Sequence, residues 1–168
     1  MLRIFLDRLY LGSGALGAFF LALIGIIMLL QMIARSLGMQ LRGADDLTAW
    51  SVASTAMLSL AYAFRHGAHI RVTLLIGSRK GKTRKVYELI CLASALTITM
   101  LLTYASFRLA YDSWQYQEMA QGLLQIPIWI PQISLVAGAG LFCVAILDDL
   151  VSVLLVGKTS YSRYEDAS

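Results

Sequence analysis

Two pairs of long apolar runs, separated by one short and strongly basic stretch, constrain this chain more than any other feature. The apolar runs are almost free of charge over lengths near the roughly 17–25 residues that a helix needs to cross the hydrocarbon core of a bilayer. This pattern predicts an integral membrane protein with four spans and with the basic stretch in the cytoplasm. The basic stretch contains seven of the 14 Lys and Arg residues, namely Arg65, Arg71, Arg79, Lys80, Lys82, Arg84 and Lys85.

The composition excludes an ordinary water-soluble domain. Hydrophobic residues make up 58% of the chain, charged residues only 14%, and the mean hydropathy is +0.70. Soluble domains average about 25% charged residues, so a water-facing fold of this chain would lack polar surface. The net charge of +4 does not indicate nucleic-acid binding, because the basic residues have no interleaved aromatic residues. Cys91 and Cys143 lie inside apolar runs, where we expect them to pack as small hydrophobic side chains.

The charge-free runs predict one all-α membrane domain over residues 1–168, with spans at about 9–34, 47–64, 87–108 and 131–156 and a cytoplasmic loop at 65–86. Pro127 and Pro131 are the expected structural breaks before the last span, because proline lacks the helix donor and restricts the preceding residue. We therefore expect Gln115 to Ile130 to form an interfacial segment. Its expected headgroup anchors are Trp114, Tyr116 and Trp129.

The first ten residues alternate charged and apolar side chains. On a helix, Arg3, Asp7 and Arg8 give an amphipathic start that could lie on the bilayer surface before the first span. The same residues could equally be the first turns of that span. Both alternatives place a charged segment at a membrane surface.

The distribution of positive charge predicts the orientation. With the N-terminus inside, eleven Lys and Arg are cytoplasmic, and only Arg35, Arg42 and Arg108 are outside. Because cytoplasmic segments carry the excess of Lys and Arg, both termini are expected in the cytoplasm.

Candidates for chemistry inside the spans are few. Asp148 and Asp149 lie toward the inner end of the last span, where they could pair with the basic loop or bind a partner subunit or an ion. His66 and His69 are three residues apart, so on a helix they would share a face, but no neighbouring Cys, Asp or Glu completes a metal site, and haem ligation needs histidines on both sides of the ring. We therefore expect no cofactor, no metal and no enzymatic activity.

Small residues in the spans predict close helix packing. The second run presents Ser51, Thr55, Ser59 and Ala63 at four-residue spacing, and Gly17 and Gly138 lie in the first and last runs. Small side chains let membrane helices approach closely, and hydroxyl groups can form hydrogen bonds across helices. This pattern favours a packing scaffold over a permeation pathway.

Four ordered motifs are similar to one family. Arg35 follows the first run, Asp45 and Asp46 open the second, Gly67–Val72 forms a Gly-x-His-Ile-x-Val turn after it, and Pro127–Pro131 forms a Pro-x-Trp-x-Pro segment. In this order they resemble the small membrane subunit of tripartite ATP-independent periplasmic (TRAP) transporters. The resemblance extends over nearly the whole chain.

The resemblance implies that three proteins carry out different parts of transport across a bacterial inner membrane. A periplasmic binding protein would capture an organic acid, such as a carboxylate or a sialic-acid-like compound. A large membrane subunit would carry the substrate and sodium sites and move as an elevator, and this chain would pack against its stationary part. The expected partners are thus these two proteins and membrane lipids, without nucleic acid.

Two sets of residues are candidates for contacts in such a complex. Asp45 and Asp46 are expected at the periplasmic start of the second span, where carboxylates favour a helix N-terminus and could also bind a docking partner. The other set, at the interface with lipid or partner, is Arg65, His66, His69, Arg71 and Trp129.

Two other classes of membrane protein also have four helices. A small multidrug exporter needs a membrane-embedded acid in its first span, and Leu9 to Ala34 contains none. A haem-bearing membrane anchor of an oxidoreductase needs histidines on separate spans, and the chain has only His66 and His69. Both classes fit the sequence less well than the scaffold subunit.

Overall fold

The computed structural model describes residues 2–65 and 82–156, and these form four helices. They are α1 (Leu2–Ser36), α2 (Ala44–Arg65), α3 (Lys82–Gln115) and α4 (Trp129–Val156). Each is long and apolar enough to cross a membrane. The described part contains no β-strand beyond one isolated bridge. The prediction of an all-α fold with four membrane-spanning helices is confirmed.

The helices extend further than the charge-free runs. α1 is continuous from Leu2, so the charged start forms its first turns and is not a separate element. α3 begins at Lys82, inside the stretch expected to be loop, and continues to Gln115 past Arg108 and Asp112. Charged side chains near the ends of a span can reach the bilayer surface while the backbone stays helical. Charge therefore marks the edge of the apolar zone and not the end of the helix.

The helices pack in the order α1, α2, α4, α3. α1 and α2 are antiparallel, with Gly14 beside Tyr62 and Gly17 beside Ser59. α2 and α4 are parallel, and the hydroxyl groups of Ser54 and Ser134 are 2.7 Å apart across them. α2 and α4 are therefore the inner pair, and α1 and α3 are the outer helices.

Each outer helix uses one narrow face for packing. On α1 the buried and half-buried positions include 6, 10, 13, 17, 20, 24, 27, 31 and 34; on α3 they include 92, 96, 99, 103, 106, 110 and 113. This alternation of three and four residues is the heptad spacing of coiled-coil packing. Large apolar side chains on the remaining faces are exposed, including Phe19, Met32, Ile98 and Leu101. Lipid or another protein must cover them.

Glycines set the close approach of α2 to its neighbours. A Cβ atom at Gly17 would lie 3.3 Å from the Cβ of Ser59, and one at Gly138 would lie 2.6 Å from the carbonyl carbon of Met57. The small-residue contacts expected from the sequence are thus present. Most hydroxyl groups on α2 donate to their own helix instead of across helices, as Ser51 does to Leu47 and Ser59 to Thr55.

The two ends of the bundle differ in character. At one end, which we call the core end, Tyr10, Phe64 and Ile146 form an apolar core with Ala61 and Ala145, and residues of α3 pack against it. At the opposite end, which we call the loop end, the α1–α2 turn and the 116–128 loop cover the helix ends. Most of the predicted site residues that the structure describes lie at the loop end.

Candidate functional site: the surface around the start of α2

The turn between α1 and α2 has a defined conformation. After α1 ends at Ser36, Gly38 adopts a φ of 73°, and the backbone N–H groups of Gly38 and Met39 donate to the carbonyl oxygens of Arg35 and Ala34 at 3.1 and 2.9 Å. These two bonds form a Schellman motif, which favours glycine at the left-handed position. The turn therefore fixes where α2 begins.

Asp45 joins α1 to α2. Its Oδ1 atom accepts a hydrogen bond of 2.8 Å from the side-chain amide of Gln31 on α1. The side chain of Asp45 is otherwise exposed. The contact gives Gln31 a structural partner near the end of its span, in line with the rule that polar groups in membrane helices are paired.

Asp46 joins α2 to the 116–128 loop. Its Oδ2 atom accepts a hydrogen bond of 3.3 Å from the backbone N–H of Leu124. The Asp46 carboxylate lies directly against Gly122, so any Cβ atom there would collide with it. The side chain of Leu124 in turn lies against Gly43, which has a φ of 80°. Two glycines thus make room for one carboxylate and one leucine.

The 116–128 loop is itself folded. Ala120 donates to the carbonyl oxygen of Ile126 at 2.9 Å, and Ile128 donates to that of Glu118 at 3.0 Å, around a bridge between Met119 and Pro127. The Glu118 carboxylate accepts a hydrogen bond of 3.0 Å from Ser113, which is 1% exposed. The loop therefore presents a fixed surface at the loop end.

The surface of the loop end combines exposed apolar side chains with arginines. Leu37 is 67% exposed and Leu123 is 71% exposed; Met39, Leu41 and Met119 are exposed as well. Arg35 and Arg42 are exposed, and no described residue forms a salt bridge with either. Apolar and cationic groups in this combination are suited to bind a protein surface or the headgroup region of a bilayer.

The structure places the predicted contact residues at both ends of the bundle: the first group lies at the loop end, and Arg65 lies at the core end. Asp45 and Asp46 lie together at the loop end, and Trp129 is the half-buried first residue of α4 at the same end. Arg65 is the last residue of α2. His66, His69 and Arg71 lie outside the described residues.

The two prolines differ in position. Pro127 precedes α4, whereas Pro131 lies in its first turn, two residues after the helix begins at Trp129. Proline fits there because the first N–H groups of a helix have no partner within it.

Asp148 and Asp149 lie toward the core end. Asp149 is buried and Asp148 is half-buried, and each makes an interaction. Among the described residues, no group of three His, Cys, Asp or Glu could hold a metal ion.

Sequence reasoning missed Gly122, Leu124, Glu118 and Ser113. Their roles depend on contacts with residues far away in the sequence or on the fold of the loop, such as the bond from Leu124 to Asp46 across 78 positions. The one available signal was the glycine at 122, in a segment otherwise expected to be interfacial.

Comparison with protein families identifies the chain. A family model described as "Tripartite ATP-independent periplasmic transporters, DctQ component" matches residues 24–155. The chain belongs to this DctQ family. No curated protein and no solved structure matches it.

The DctQ match includes every part of the surface described above. It begins in α1, covers the start of α2 and the 116–128 loop, and ends in the last turn of α4. The protein is thus the small membrane subunit of a TRAP transporter and spans the membrane several times. This family is a transporter component and not a family of enzymes.

Proposed function

We propose that this DctQ component is the scaffold of the large, sodium-coupled membrane subunit of its transporter. The observation that carries the proposal is the lack of charge in the central parts of the spans, because Arg108, Asp148 and Asp149 lie only toward the ends of α3 and α4. No Asp, Glu, Lys or Arg lies in segments 9–34, 47–64, 89–107 or 131–147. A pathway for sodium or for an organic acid needs polar or ionisable groups at membrane depth. The substrate and ion sites are therefore assigned to the large subunit.

The exposed faces of the outer helices support a scaffolding role. α1 and α3 each contact the rest of the chain through one narrow face, and their other faces carry large exposed apolar side chains. Such faces favour packing against the helices of a large partner while the remainder contacts lipid. In this proposal the complex lies in a bacterial inner membrane, with a periplasmic binding protein that delivers an organic acid.

Two residue sets are proposed as contacts in the complex. The loop end, with the exposed carboxylate of Asp45, faces the periplasm and contacts the binding protein or the large subunit. The cationic set of Arg65, His66, His69 and Arg71 binds lipid phosphates and the large subunit on the cytoplasmic side, and each interfacial Arg contributes about 1 kcal/mol. Trp129 acts as an interfacial anchor.

Reconstitution tests the scaffold assignment. In liposomes with a sodium gradient, the chain alone should give background uptake of candidate organic acids. With the large subunit and loaded binding protein it should give uptake that disappears when the chain is omitted. Substrate flux through the chain alone would contradict the proposal, and so would full uptake by the large subunit without it.

The cationic set has its own test. Replacing Arg65 and Arg71 by Gln should weaken co-purification of the large subunit or retention of native lipid. The matched control replaces Lys158 and Arg163, which follow the last span in the sequence, and should leave co-purification and lipid retention unchanged. If the variant at Arg65 and Arg71 keeps wild-type levels of co-purified large subunit and of native lipid, these residues serve only to set the orientation of the chain in the membrane.

A further inference from the structure

Three polar side chains lie on the side of α3 that is turned away from the rest of the chain. Tyr104, Arg108 and Asp112 follow one another at four-residue spacing, so they form a row of about 12 Å along the helix. The packing face of α3, which includes Thr99 and Thr103, lies on the other side. Tyr104 is 62% exposed, and the side chains of Arg108 and Asp112 are 67% and 48% exposed. We call these three residues the polar row.

The polar row begins near the middle of a membrane span. The apolar span of α3 is Leu89–Gln115, and Tyr104 lies about 16 Å from its loop-end terminus and about 22 Å from the other. Because helical side chains tilt toward the N-terminus of their helix, that of Tyr104 tilts toward the core end, away from the nearer headgroups. No described residue forms a hydrogen bond with its hydroxyl group. At this depth the hydroxyl group also lacks the water that a tyrosine meets at a bilayer surface.

Arg108 and Asp112 add charge to the same row. The Nε atom of Arg108 is 3.8 Å from the Oδ2 atom of Asp112, which is longer than a hydrogen bond. Neither side chain forms a hydrogen bond with another described residue. Ionisable groups within membrane spans face protein or water in nearly all cases, and not lipid. The row therefore needs a covering surface that supplies hydrogen-bond partners and charge.

α1, the other outer helix, has no such row. Between residues 9 and 34, Tyr10 and Ser13 are buried and Gln31 donates a hydrogen bond to Asp45, so the polar side chains of this segment are directed to the chain itself. Its exposed positions in the same segment are all apolar or glycine. Lipid tails can cover that face without leaving a polar group unpaired. Of the two outer helices, α3 is thus the one whose exposed face needs a protein partner.

The chemistry of the polar row selects among the possible occupants. Lipid headgroups can bind Arg108 and Asp112 near the loop end, but acyl chains offer no acceptor to Tyr104. A second copy of the chain, inserted in the same direction and related by two-fold symmetry, would bring two Arg108 side chains to the same depth, where like charges repel. A transmembrane helix of a different protein can bring a carboxylate to Arg108 and an acceptor to Tyr104.

We propose that the polar row is the contact of α3 with a transmembrane helix of the large subunit, and that this helix carries a carboxylate opposite Arg108. The inference rests on the proposed function and adds which face of the chain meets the large subunit. The pairing of a guanidinium with a carboxylate fixes the depth of the two helices relative to each other, because such bonds are directional. The exposed face of α1 then contacts lipid.

Photo-crosslinking tests which molecule covers the polar row. Tyr104 is replaced by p-benzoylphenylalanine in the transporter complex, and the control replaces Phe19, which is 61% exposed near the middle of the span of α1. Irradiation should link the chain to the large subunit from position 104 and to lipid from position 19. Capture of lipid only or of a second copy at position 104, or of the large subunit equally at both positions, would overturn the proposal. If no large subunit co-purifies with the wild-type chain, the scaffold assignment itself fails.

Removing the charge tests the polar row directly. Arg108→Gln should lower co-purification of the large subunit by at least about tenfold, equivalent to about 1.4 kcal/mol, because a carboxylate within the membrane loses its partner. The matched control, Arg8→Gln, removes an exposed cation from α1 and should leave co-purification unchanged. The unfolding temperature of the chain in detergent should not shift in either variant, since an exposed ion pair contributes little to stability. Equal co-purification with both variants would overturn the proposal.

Discussion

Asp45 and Asp46 are adjacent in the sequence, yet their carboxylates bind different elements. Both lie in the first turn of α2, where each gains a similar contribution from the helix N-terminus. Asp46 alone accepts the backbone N–H of Leu124 and thereby holds the 116–128 loop, whereas Asp45 accepts from the side chain of Gln31. A comparison of the two residues therefore isolates the contribution of the loop contact.

We expect Asp46→Ala to destabilise the protein by about 1.5 kcal/mol, because a half-buried backbone donor loses a charged acceptor. Asp45→Ala should cost less, about 0.5–1 kcal/mol, because its hydrogen bond is exposed. Thermal unfolding in detergent, followed by tryptophan fluorescence, measures both. A larger loss for Asp45→Ala would show that the loop contact contributes little.

Asp45→Asn separates the structural role of this residue from a docking role. The amide keeps the acceptor for Gln31 but removes the charge. A transport defect with normal assembly would assign Asp45 to partner docking, and full activity would leave it the role of joining α1 and α2. Uptake by the reconstituted complex and co-purification of the large subunit are the two measurements.

Gly122 and Asp46 should be energetically coupled. Gly122→Ala places a methyl group against the Asp46 carboxylate, which must move away from the backbone N–H of Leu124, so we expect a cost of about 1–1.5 kcal/mol. In the Asp46→Ala background the obstacle is gone, and the same substitution should cost at least about 1 kcal/mol less. A double-mutant cycle from unfolding measurements gives this difference. Strict additivity would show that the loop does not pack on Asp46.

At the scale of helices, sequence predicted the elements better than their ends and contacts. Hydropathy alone placed all four spans, because an apolar run of sufficient length has few alternatives to a membrane helix. It ended the third span near Arg108, although α3 continues to Gln115. Hydropathy also did not reveal the narrow packing face of α3, where small and hydroxyl residues such as Thr99, Thr103 and Ser106 recur at heptad spacing.

The contact between α2 and α4 gives a test within one helix. A Cβ at Gly138 would meet the Met57 backbone at 2.6 Å, whereas one at Gly140 would meet nothing within 4 Å. We expect Gly138→Ala to force the helices apart at a cost of about 1–3 kcal/mol. Gly140→Ala should instead stabilise α4 by about 0.5–1 kcal/mol, because alanine is the better helix former. Equal effects in unfolding measurements would contradict this packing.

At the scale of the whole molecule, the two outer helices exceed the bilayer. α1 has 35 residues and α3 has 34, which correspond to about 50 Å of helix against a hydrocarbon core of about 30 Å. The pairing of Gly14 with Tyr62 and of Gln31 with Asp45 aligns α2 with the later part of α1. The charged first turns of α1 therefore project beyond α2 at the core end, where they can lie among headgroups.

The orientation of the whole bundle follows from charge, and labelling tests it. Because eleven of the 14 Lys and Arg lie on one side of the predicted topology, the core end should face the cytoplasm and the loop end the periplasm. In a background with Cys91 and Cys143 replaced by alanine, Ser36→Cys should react with an impermeant maleimide in spheroplasts. Ser78→Cys, in the basic stretch, should react only after permeabilisation. The reverse pattern would invert the bundle and move the proposed docking surface to the cytoplasm.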